Sequence, residues 1–199
     1  MKKSLVTCLF ITLVLPTFAA TLSRSINFIA LSGNQMPGTS ANYASFAPPL
    51  IYNHHVAYLS SSRLQGPGIF SNLTGKIQPA AYYNTNLPGK NDSFSSFTPS
   101  GYYESSPNKH DELSLWRNRI AFLGNDYSDQ GGVYLYTAAD GITPVATFNM
   151  QLPKSTLHFK SFAYPTALAN NGIAFLAYTS NQQTGLYKKN SPGTIVPLV

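Results

Sequence analysis

The chain is poor in cysteine, in charge and in long apolar runs, and each shortage removes a class of protein. Its one cysteine, Cys8, lies too early to be the acylated cysteine of a lipoprotein, which would follow the apolar run around it. Past the first twenty residues there is no thiol, so neither a disulfide framework nor thiolate chemistry is open to the rest of the chain. Only 10 % of the residues are charged, 13 Lys and Arg against 7 Asp and Glu. Beyond the first twenty residues the basic residues stand singly (Arg24, Arg63, Lys76, Lys90, Lys160), apart from the pair Lys188-Lys189. A nucleic-acid binder would show a basic stripe, so nucleic acid is not expected as a partner. After Leu15 no apolar stretch approaches the roughly 18 residues of a membrane helix, so no membrane span is expected there.

The first twenty residues have a character of their own. Lys2 and Lys3 give a positive start, Leu5 to Leu15 are almost wholly apolar, and Thr17-Phe18-Ala19-Ala20 supply small residues for cleavage. That pattern predicts a secretory signal peptide over residues 1–20, with an uncleaved anchor as the alternative. The expectation is an exported protein, periplasmic or extracellular, with residues 21–199 as a single domain. Lacking disulfides, such a domain must hold together by packing, which its length permits.

What is abundant is aromatic side chains and turn formers: 13 Tyr, 12 Phe, 14 Gly and 14 Pro. This is the composition of many short strands joined by turns. The strands repeat. A β-branched/Ala/aromatic triplet occurs as Val56-Ala57-Tyr58, Ile120-Ala121-Phe122 and Ile173-Ala174-Phe175. A Gly-apolar-aromatic triplet follows as Gly68-Ile69-Phe70, Gly132-Val133-Tyr134 and Gly185-Leu186-Tyr187, each time 12 residues on. Upstream, Pro37, Pro88 and Pro153 each precede the Phe of a Ser-Phe pair (Phe46, Phe97, Phe162) by 9 residues. Two fixed offsets in three copies define a repeat of the kind that builds solenoids and propellers.

Each unit reads as four short strands. A proline-led loop reaches the Ser-Phe and an extended segment, the two triplets follow, and a further turn (Gly75-Lys76, Asp140-Gly141, Pro192-Gly193) feeds a last strand. The expected units are about 37–87, 88–152 and 153–199, with an extra strand at 25–32. A small meander sheet cannot bury both faces alone, but stacked sheets can, so the fold class is all-β with three four-stranded antiparallel units in a partial or open β-propeller. The near-continuous apolar run Ile173 to Ala177 predicts a strand covered on both faces. Three units fall short of the four to eight blades of closed propellers. A fragment of a longer protein, an open array, or self-association to complete a ring are the available resolutions. The second unit carries an insertion, Gly101 to Trp116, holding three of the seven acidic residues and the sole tryptophan.

The triplets resemble the bacterial NxxGxxAF tandem-repeat family of exported proteins. The matching residues are Ala57-Tyr58, Ala121-Phe122 and Ala174-Phe175, the Gly-x-aromatic triplets, and the loops Met36-Pro37-Gly38 and Leu87-Pro88-Gly89. The match covers roughly Phe28 to Val199. It departs in that Asn170-Asn171-Gly172 abuts Ile173, and in that Arg117-Asn118-Arg119 has no glycine at the same place. The resemblance implies a propeller-like β fold in an exported protein and transfers no catalytic residues.

Candidate chemistry is sparse, and no cofactor is expected. His54-His55 lies in a turn, where adjacent histidines are expected to point to opposite faces and so to make a poor metal site. Lys109-His110-Asp111-Glu112 could offer a general base or a ligand pair, against the simpler reading of a solvated charged loop. Asp126 and Asp129 stand in Asn125-Asp126-Tyr127-Ser128-Asp129 like the start of a calcium loop, without its remaining carboxylates. The simpler reading there is a polar hairpin connection. Asn72-Leu73-Thr74 and Asn91-Asp92-Ser93 have the form of glycosylation sequons but read as turns. No Gly-x-Ser-x-Gly, His-Glu-x-x-His or phosphate-binding glycine loop is present. The expectation is therefore a non-enzymatic binding or interaction protein. Tyr102, Tyr103, His110 and Trp116 are its candidate ligand contacts, and a glycan or a protein is the partner. A secreted hydrolase or lyase is the alternative, and it needs His110, Asp111 and Asp126 to meet in one cleft.

Overall fold

The structure, a computed structural model, describes residues 29–97, 113–170, 172–190 and 193–198. The leader and Ser25 to Phe28 of the extra strand lie outside the described residues. Among those described there are thirteen strands and no helix, in three antiparallel sheets. The first sheet holds β1 (Ser45–Phe46), β2 (Leu50–Tyr52), β3 (His55–Ser62), β4 (Gly66–Ser71) and β5 (Gln78–Tyr82). The second holds β6 (Leu113–Trp116), β7 (Arg119–Asn125), β8 (Gly131–Thr137) and β9 (Gly141–Thr147). The third holds β10 (Phe159–Ala169), β11 (Gly172–Thr179), β12 (Thr184–Asn190) and β13 (Ile195–Pro197).

Each sheet is a meander, and the first strand of each breaks at the same point. In the first sheet β1 and β2 pair with opposite ends of β3 across the break Ala47-Pro48-Pro49, where two prolines remove ladder donors. In the third, β10 is continuous but loses register between Ala163 and Ala167. In the second, Ser96 bridges to Asn125 where β1 would pair, and the chain returns as β6 at Leu113. Leu113 to Trp116, expected as the end of the insertion loop, is thus a strand paired with Arg119–Phe122.

The 12-residue beat has a physical cause. It places Tyr58 opposite Phe70, Phe122 opposite Tyr134 and Phe175 opposite Tyr187 in the β3–β4, β7–β8 and β11–β12 ladders. These cross-strand rings stack in all three sheets, with centroids 5.8, 5.7 and 5.8 Å apart and planes 22°, 26° and 25° from parallel. The glycine two residues before the second ring is dictated by that ring, which lies back over it. A Cβ on Gly132 would stand 2.9 Å from the Tyr134 ring, and one on Gly185 2.7 Å from the Tyr187 hydroxyl. Two more rings complete a quartet in every sheet: Tyr43 and Phe46, Phe94 and Phe97, Phe159 and Phe162, paired at 5.0, 5.3 and 5.6 Å. The first of each pair meets the β4, β8 or β12 ring edge-on, at 5.4, 4.9 and 5.0 Å. Each such aromatic contact contributes about 0.5–1.5 kcal/mol beyond the area it buries.

The loops that enter each unit are superimposable in their bonding. Met36, Leu87 and Leu152 donate their N–H to Ala41, Asp92 and Leu157, each at 2.8 Å. The residue after the proline takes a left-handed conformation, φ 75° at Gly38, 75° at Gly89 and 56° at Lys154. The third unit therefore holds with a lysine the turn that the others form with glycine.

The sheets pack front to back. Ala57, Ile69, Ala80 and Ala81 on the back of the first sheet share a core with Phe94, Phe97, Ile120, Phe122 and Tyr134 on the front of the second. Ala121, Leu123, Val133 and Ala146 on the back of the second share another with Phe159, Phe162, Ile173, Phe175 and Tyr187 on the front of the third. Contact runs mainly through the first strands, with β6 lying against β2, β3 and β10. This is an open, propeller-like arrangement. It corrects one expectation: β7 in the middle sheet is buried on both faces, whereas β11, with the same apolar pattern, is buried on its front only, Ala174 and Leu176 being half-buried.

Candidate functional site

The three turns that join first to second strands lie side by side and form one surface. Each is a two-residue loop, closed by Tyr52 opposite His55, Trp116 opposite Arg119 and Ala169 opposite Gly172. Asn53 and Arg117 both sit at φ 54°. Asparagine tolerates that region well, while arginine holds it at some cost because the ladders on either side fix the register. The first turn is also tied from behind. Asn72 accepts the Val56 N–H at 2.7 Å and donates to the His54 carbonyl at 3.0 Å, so the first sequon asparagine serves the turn.

Contacts between units join these turns into a ridge. The Trp116 ring packs on Tyr52 with centroids 4.7 Å apart at 48°. Its indole N–H reaches the Asn170 side-chain oxygen at 3.3 Å, and the Arg119 guanidinium donates to the Ala169 carbonyl at 2.9 Å. His54 and His55 border the ridge with ring centroids 4.1 Å apart. The two imidazoles lie together instead of on opposite faces, because His54 belongs to the turn and only His55 to the strand. His55 Nδ1 is buried without a hydrogen-bond partner. Arg117 and Arg119 make the ridge cationic, and none of its three turns contributes a carboxylate.

Chemically the ridge offers aromatic faces beside guanidinium and imidazole donors, with half-buried Tyr52, Trp116 and Arg119 and exposed His54, Arg117 and Asn170. Such a set binds planar or apolar surface next to an anion. Among its described residues there is no nucleophile with an adjacent base. Of the residues expected from sequence, Trp116 is at its centre, while Tyr102, Tyr103 and His110 lie outside the described residues. Tyr52, Arg119 and Asn170 were not anticipated. Tyr52 and Trp116 each stand four residues before the β-branched residue of their unit, Val56 and Ile120, and that offset is the signal that could have found them.

Asp126 lies on a different turn, between β7 and β8. One carboxylate oxygen accepts the N–H groups of Ser128 and Gln130 at 2.9 and 2.8 Å, and the other meets the Lys90 ammonium at 3.3 Å. The buried carboxylate thus closes its own hairpin. Asp129 takes the left-handed position in that turn, φ 57°. Among the described residues no three of His, Cys, Asp and Glu gather as a metal site. His110 and Asp111 of the hydrolase constellation lie outside the described residues.

The exposed Tyr127 phenol is raised chiefly by its hydrogen bond with Tyr83, and burial sets the other perturbed titrations. It raises the phenols of Tyr58 and Tyr134 far above their usual range, and those of Tyr43 and Tyr187 less. It lowers the Lys189 ammonium, which donates to the Pro144 and Val145 carbonyls at 2.9 and 3.3 Å and so ties β12 to β9.

No protein-family model matches the chain, and neither a curated protein nor a solved structure is significantly similar to it. Among the described residues no helix is long and apolar enough to cross a membrane.

Proposed function

We propose that the protein is an exported, non-enzymatic binding protein whose ligand lies along the turn ridge, in keeping with its resemblance to exported NxxGxxAF repeat proteins. The observation that carries this reading is the Tyr52–Trp116 ring pair, flanked by Arg117 and Arg119 and joined to Asn170. Three units contribute to one surface there, with cationic donors beside aromatic faces. A glycan bearing carboxylates fits it best: sugar rings lie on Trp and Tyr, and carboxylates take bidentate bonds from arginine.

The sole tryptophan is a built-in reporter. Titration of the protein with oligogalacturonate should shift or quench Trp116 fluorescence, and the effect should weaken with salt and with Tyr52→Ala. The neutral oligosaccharide of the same length should bind at least about tenfold more weakly, as loss of one charge-assisted contact predicts. No fluorescence response to the acidic oligomer, or an equal response to the neutral one, contradicts the reading.

A further inference from the structure

The sheet-to-sheet interface is built twice inside the chain from the same parts, and half of it recurs at each end of the stack. On the back of the third sheet, Ala174 and Leu186 are half-buried, whereas their counterparts Ala57, Ala121, Ile69 and Val133 are fully buried beneath the next sheet. Tyr178 and Leu198 beside them are 42 % and 47 % exposed. On the front of the first sheet, Phe46 is 40 % exposed, against 1 % and 4 % for Phe97 and Phe162 in the same position. Ile51, opposite Val56 on that face, is 72 % exposed, while Leu168, opposite Ile173, is 8 % exposed. Both of these front positions lie on the first strand, through which the internal sheets touch most. Of the large hydrophobic residues exposed among those described, the middle sheet and its loops contribute only Tyr127.

We infer that the back of the third sheet of one chain docks on the front of the first sheet of a second copy, repeating the internal interface between chains. The partner surface is specified by the molecule itself: twice, the Ala-Leu-apolar back face is covered by a front face with an aromatic quartet and a β-branched residue. The second copy offers that same front, with Phe46 in the place of Phe97 and Phe162. The two faces differ, so the contact is head to tail, and a head-to-tail contact must close into a ring or grow. Two copies of this chain bring six described sheets together, within the four to eight of closed propellers, so a closed dimer is the assembly expected of it.

Sedimentation of the full chain over a range of concentrations tests this. The expected species is a dimer. Leu176→Asp on the back face and Phe46→Asp on the front should each weaken it by roughly 100-fold, because each buries a carboxylate in an apolar contact. Circular dichroism confirms that each variant is folded, since both positions are partly exposed in the single chain. Mixing the two variants leaves one intact pair of faces and should restore an open dimer that neither variant forms alone. A monomeric wild-type chain overturns the inference and assigns the exposed back face to a sheet of another protein. A dimer that neither substitution disturbs, or two variants that mix without associating, overturns it as well.

Discussion

The middle and third sheets carry nearly the same words and live in different surroundings. β7 reads Ile120-Ala121-Phe122-Leu123 and β11 reads Ile173-Ala174-Phe175-Leu176. Both front faces hold a closed aromatic quartet under a neighbouring sheet. Only the middle sheet has its back covered, and Leu123 is buried where Leu176 is not. The difference separates what a strand is able to bury from what it does bury. Pattern fixes the first, and the number of neighbours fixes the second.

The comparison is hardest on the front faces, where it predicts equality. Phe122→Ala and Phe175→Ala should each cost about 3–5 kcal/mol, as truncation of a fully buried ring does. Urea unfolding of the two variants measures this, and a much milder Phe175→Ala would mean that the third sheet is loosely held. Next come the glycines beneath the rings. Gly132→Ala and Gly185→Ala should cost about 1–3 kcal/mol by forcing Tyr134 and Tyr187 off their positions. Pairing each with Tyr→Ala at the second ring should relieve the glycine's share, a coupling that a double-mutant cycle reads directly.

The smallest effect is on pH. Tyr43, Tyr58, Tyr134 and Tyr187 all have phenols raised by burial, so the unfolded chain ionises first. Their contribution is fully present below the unfolded value of 10.0 and is lost as pH rises beyond it. Lys189 acts in the opposite sense, its lowered value making folding easier as pH approaches 10.5 from below. With these four phenols and that of Tyr127, raised chiefly by its hydrogen bond with Tyr83, against one ammonium, the urea midpoint should fall between about pH 9 and about pH 11. Tyr134→Phe should flatten that fall more than Tyr187→Phe, because Tyr134 is the more deeply buried.

Much of the fold was legible because its spacing is forced by local geometry. The 12-residue beat is the distance around one hairpin from ring to stacked ring, and the glycine is required by the ring that folds over it. The Pro-to-Phe offset is a loop of fixed bonding. The fourth ring of each quartet was not legible, since Tyr43, Phe94 and Phe159 sit just ahead of the Ser-Phe pairs with no strand periodicity to mark them. The third loop was legible from Pro153 although Lys154 stands where the others have glycine. Trp116 was expected on a loop because β6 is four residues long and follows a long insertion. The ridge was the least visible feature. Tyr52, Trp116 and Asn170 belong to three different units, and only the stacking of sheets brings them together. The two-sided burial expected for β11 failed for the same reason, since the identical signal in β7 comes true only where a further sheet follows.

Front-to-back stacking is the claim on which the rest depends, and one pair of substitutions tests it most directly. Ala121→Asp places a carboxylate between the second and third sheets, at a position with no access to solvent; Ala174→Asp places it at the same position of the third sheet, on the open face. Thermal unfolding of the two variants, at a dilution where the chain is monomeric, should find the first unfolded or severely destabilised and the second close to the parent. Equal loss in both, or the reverse order, would contradict the stacking.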